Sequence, residues 1–142
     1  MDIKTVDGKI IYKSDTAKTL VDLLHEAARN NVDLSRANLE KADLKGLKIG
    51  EYRALTLKSA NLKGADLSMV VLSNCDLSGA NLAQCNLFSA KLISTNLSGA
   101  NLSGANLIRA DLTKANLQNA NLLGADLTNS KLDSAQIDGI KK

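Results

Sequence analysis

From Asn61 onward an apolar residue returns every fifth position: Leu62, Leu67, Leu72 and so on through Leu132, ending at Ile137. Two residues before each stands a small one, usually alanine, as at Ala60, Ala65, Ala80 and Ala100; Cys75, Cys85, Thr95 and Ser130 are small exceptions and Val70 is the largest. Asn or Asp fills most of the positions between them. A period of five fits neither the helical 3.6 nor the strand period of 2, so the pattern predicts a turn-rich coil in which the same two positions point inward each time. Leu34, Leu39, Leu44 and Ile49 carry the same pattern, but eight residues rather than five separate Ile49 from Leu57. About three residues are therefore inserted around Tyr52-Arg53-Ala54. Ahead of the repeats, Ile3 to Tyr12 reads as a hairpin around Asp7-Gly8. Ser14-Asp15 supplies a helix N-cap for an apolar stripe of Leu20, Leu23, Leu24, Ala27 and Ala28, and Asn30-Asn31 can end that helix.

The A-(N/D)-L-x-x unit, repeated about twenty times between residues 32 and 138, resembles the pentapeptide-repeat family. The resemblance implies an all-β solenoid, a right-handed quadrilateral β-helix with four pentapeptides per coil, one to a face. The central Leu and the small residue two before it would fill the interior, with coils stacked at about 4.8 Å. Leu34 to Ile49 would make one coil and Leu57 to Ile137 about four more, giving about five coils. Leu62, Leu82, Leu102 and Leu122 would then form one interior column. The division expected is an N-terminal hairpin-and-helix cap over residues 1–31 and a single β-helix over 32–142. Stability would come from stacking of neighbouring coils, and the cap would shield the first of them.

Composition agrees with a narrow interior of identical layers. The hydrophobic fraction is 44% while aromatics make up only 2%, so leucine and alanine replace the aromatic bulk of an ordinary core. The chain carries 18 Lys and Arg against 15 Asp and Glu, a formal charge of +3. That mild excess gives no reason to expect nucleic acid. No apolar run approaches the roughly 18 residues that cross a bilayer, and the first residues do not read as a secretory signal. A cytoplasmic, non-membrane protein is the expectation.

Candidate chemistry is sparse. His25 is the only histidine and reads as structural. Cys75 and Cys85, two repeats apart, would sit on opposite faces of a four-sided coil as small core filler, not as a disulfide or metal pair. The Asn and Asp before each Leu are expected to form stacked ladders and to bond the backbone of the turns. Gly64, Gly79, Gly99, Gly104 and Gly124 share one slot of the repeat, where turns need positive φ, and form no phosphate loop. No nucleophile, base and oxyanion-donor set appears. The expectation is a non-enzyme with no catalytic residue, cofactor or metal.

The surface carries more information. Positions one and two after each Leu, and one before it, should face solvent. Met69, Val71, Phe88, Ile93 and Ile108 are apolar residues in those slots, expected to converge on one edge of the central coils as an interaction patch. Leu123 falls on another face. Basic residues crowd the first coils, while few charges lie between Gly64 and Ile108. The chain therefore reads as a protein-binding or scaffold module for an unidentified protein partner, with a homodimer expected through the C-terminal coil end or the apolar patch. The alternative implied by the family is a DNA-mimicking modulator of gyrase or topoisomerase giving fluoroquinolone or toxin resistance. It needs a strongly negative surface, and the basic charge disfavours it.

Overall fold

Among the described residues there are no long strands; the order of the repeats comes from single residues bridged to their equivalents one turn away. The computed structural model describes residues 1–49 and 55–142. Parallel bridges run Asn61–Asn81–Asn101–Asn121 on one side and Asp66–Asn86–Asn106–Asp126 on the next. They continue as Val71–Lys91–Asp111–Lys131 on a third side and Asp76–Asn96–Asn116–Gln136 on a fourth. Four rows, each joining residues 20 apart, define a four-sided solenoid in which one pentapeptide makes one side. The first turn joins the second at a spacing of 23, through Asn38–Asn61, Asp43–Asp66 and Lys48–Val71. Three additional residues therefore lie between Ile49 and Leu57 without shifting any side. The insertion expected at Tyr52-Arg53-Ala54 falls outside the described residues.

Each side ends in a turn, and the repeat chemistry explains why. The small residue after the turn donates its N–H to the carbonyl of the Leu before it, as Ala65 does to Leu62 at 3.0 Å and Ala105 to Leu102 at 3.0 Å. The second central residue has positive φ, +65° at Gly99 and +59° at Arg109, as a type II turn requires. Glycine takes this slot without strain, yet Met69, Gln84, Ser94 and Lys114 also occupy it. At Met69, Gln84 and Lys114 the Asn or Asp before the Leu braces the turn. Its Oδ1 accepts the N–H two residues on, as in Asn101–Ser103 at 3.1 Å and Asp111–Thr113 at 3.1 Å. The leucines and small residues fill the interior as one continuous core, with Leu62, Leu82, Leu102 and Leu122 in a single buried column.

Two strands and a helix precede the coils. Strand β1 (Asp2–Lys4) pairs antiparallel with β2 (Ile10–Lys13) across a loop holding Asp7-Gly8. Lys4 accepts the Asn38 N–H at 2.7 Å and Thr5 bridges Ala37, so this hairpin extends the asparagine side of the first turn. Helix α1 (Leu20–Arg29) buries Leu23, Leu24 and Ala27 in the same core as Leu34 and Leu44. Its N-cap is Thr19, not Ser14-Asp15. Thr19 and Asp22 form a reciprocal capping box with bonds of 3.0 Å each way. The Ser14 hydroxyl accepts from the N–H groups of Thr16 and Ala17 instead, closing a separate turn ahead of the helix. Asn30 caps the far end.

The opposite end of the solenoid is open. Leu132 and Ile137 occupy inward slots yet are 39% and 46% exposed. Among the described residues, the N–H groups of Leu127, Leu132 and Ile137 have no acceptor, whereas that of Leu102 reaches the Asn121 carbonyl at 2.7 Å. The positive-φ slot gives a direct test of the turn argument. A Cβ added at Gly99 meets nothing within 4 Å, so Gly99→Ala carries only the backbone cost of the left-handed region, about 1–2 kcal/mol. Urea denaturation should show that loss, and Ser98→Ala next to it should show little.

Candidate functional site

The polar groups of the repeat are largely spent on the fold. Asn61, Asn81, Asn101 and Asn121 each donate a side-chain N–H to the Oδ1 of the asparagine one turn earlier, at 3.2–3.4 Å. The next side carries Asn106 onto Asn86 and Asn86 onto Asp66. Since each Oδ1 also caps its own turn, these amides form ladders along the axis instead of a ligand array. Asp66, Asp111 and Asp126 are held below the ordinary carboxylate range. The Ser68 N–H is the main cause at Asp66, and the hydroxyls of Thr113 and Thr128 are the main causes at Asp111 and Asp126.

The remaining candidates for chemistry are structural in their surroundings. Cys75 and Cys85 are buried free thiols on opposite sides of the interior. Burial pushes both thiols up, Cys85 to about 11, so neither presents a nucleophilic thiolate. The Cys85 thiol donates to the Leu62 carbonyl at 2.8 Å, as the Thr95 hydroxyl does to Leu72 at 2.8 Å. Both groups use the second lone pair of a turn carbonyl in the preceding coil. His25 Nε2 lies 3.2 Å from the Lys48 carbonyl, tying α1 to the first turn. Among the described residues no His, Cys, Asp and Glu group could hold a metal ion, and no helix is long and apolar enough to cross a membrane.

The five apolar surface positions do not all come together. Met69 is 50% exposed and stands at φ +55°. Phe88 and Ile108 are half-buried and occupy the same side on the two following turns. The Met69 N–H donates to the Phe88 carbonyl and the Ser89 N–H to that of Ile108, both at 2.9 Å. These three form one ridge along the corner between the second and third sides. Ser68, one turn below Phe88 in the same slot, is only 5% exposed. Val71 is a correction: expected in the exposed patch, it is 7% exposed. It occupies a bridge row between Lys48 and Lys91. Neighbours in such a row stack at about 4.8 Å, which leaves a short branched side chain little exposed surface of its own. Ile93, half-buried, stands in another row, level with Ser73 and Thr113 at the far end of the third side, and does not join the ridge. Leu123 is exposed on the asparagine side.

One feature was not anticipated from the sequence. A shallow groove of about 430 Å³ lies on the asparagine side, lined by Lys63, Asn81, Ala83, Gln84, Asn101, Ser103 and Gly104. The signal was present in the small residues at 83 and 104, but their alignment on one side depends on the 20-residue turn. The groove offers amides, a hydroxyl and one ammonium, which can bind but which include no base and nucleophile pair.

A family model described as "Pentapeptide repeat region" matches residues 65–141. Among solved structures, HetL of the cyanobacterium Nostoc sp. strain PCC 7120, involved in heterocyst differentiation regulation, is 37% identical with a TM-score of 0.62. That match covers 78% of this chain and 48% of HetL, so the chain spans about half of HetL's length. Another Nostoc PCC 7120 pentapeptide repeat protein, alr5209, is 30% identical with a TM-score of 0.50, over 84% of this chain and 95% of its own. The plasmid-mediated fluoroquinolone resistance protein QnrB1 aligns at 16% identity with a TM-score of 0.37, over 73% of this chain and 78% of its own, too distant to bear on function. No curated protein matches.

The capped carboxylates predict an acid dependence. Their folded pKa values lie below the unfolded ones, so their contribution is fully present above the unfolded value near 3.9 and is lost as pH falls through the folded values. Denaturant midpoints should therefore be flat above about pH 5 and drop below about pH 4. Asp111→Asn keeps an acceptor for Thr113 and should reduce that slope.

Proposed function

Because the chain belongs to the pentapeptide repeat family, we propose that it is a non-enzymatic binding or scaffold module that docks a protein partner on its corner ridge. The observation that carries this reading is the exposure of Met69 beside Phe88 and Ile108, on a surface whose other repeat positions are mostly Ser, Asn, Gly and Lys. The same membership supports a right-handed coil of about five turns, with the hairpin and α1 as its cap. DNA mimicry of the kind that would engage gyrase requires dense negative charge, and a net charge of +3 argues against it. A supercoiling assay with purified gyrase should show neither inhibition nor protection.

The test of docking is Phe88→Asp combined with Ile108→Asp. Partner recovery from an extract of the native host should fall several-fold while the far-ultraviolet spectrum and denaturation midpoint stay near wild type. Equal recovery by both proteins would remove the reading. We also propose self-association through the open coil end, where Leu132 and Ile137 expose inward-slot side chains. Sedimentation should give a dimer for the wild-type chain and a monomer for Ile137→Asp, whereas a wild-type monomer would discard it.

A further inference from the structure

We draw no further inference here: the strongest candidate, the apolar corner ridge of Met69, Phe88 and Ile108 between the second and third sides, belongs to the docking surface already described, and nothing in the structure shows what covers it.

Discussion

Everything in this molecule depends on hydrogen bonds between successive turns, in which the N–H of each central leucine from Leu57 to Leu122 meets a carbonyl 19 residues further along, as Leu62 meets Asn81 and Leu82 meets Asn101. A single turn cannot satisfy its own backbone or bury its own leucines; only the next turn, in register, can do both. Register is therefore absolute, and the spacing changes from 23 to 20 after the first turn without moving any side. Once the backbone is locked, the asparagine ladders follow, because equivalent side chains are brought within hydrogen-bonding distance without further choice.

That economy leaves little freedom for chemistry. The inward positions take mostly Leu and small residues, so Cys75, Cys85 and Thr95 fit as modified alanines: the Cys85 thiol and the Thr95 hydroxyl donate to turn carbonyls of the preceding turn, and the Cys75 Sγ accepts the Leu55 N–H at 3.4 Å. The row before each leucine is mostly Asn and Asp taken up by ladders and turn caps, except on the third side, where Lys48, Val71, Lys91 and Lys131 stand. The two turn positions after each leucine are freer, and there the chain places Met69, Phe88, Ile108 and Arg109. A residue in the left-handed slot bears a backbone cost, so Met69 at φ +55° is a costly place for an exposed apolar side chain.

The two ends meet the edge problem differently. At the N-terminal end the hairpin pairs with the first turn and α1 covers its leucines with Leu23, Leu24 and Ala27. At the other end Leu132 and Ile137 are left exposed. The first and last described turns thus differ in their surroundings, in addition to the lateral ridge.

The five-residue period by itself determined the solenoid, the inward positions, the role of both cysteines and the use of Asn and Asp as ladders. Each follows from a constraint repeated in every unit, and repetition makes a weak local signal strong. What the sequence did not decide is anything that depends on one neighbour. Ser14-Asp15 and Thr19 are equally good caps on composition, and the reciprocal bond with Asp22 selected Thr19. Val71 looked exposed by its slot, yet in its row between Lys48 and Lys91 it is only 7% exposed. Ile93 fell away from the ridge because a four-sided turn puts its row at the far end of the next side. The tertiary structure alone decided these, since burial and contiguity are properties of residues 20 apart, brought together only when the coil closes.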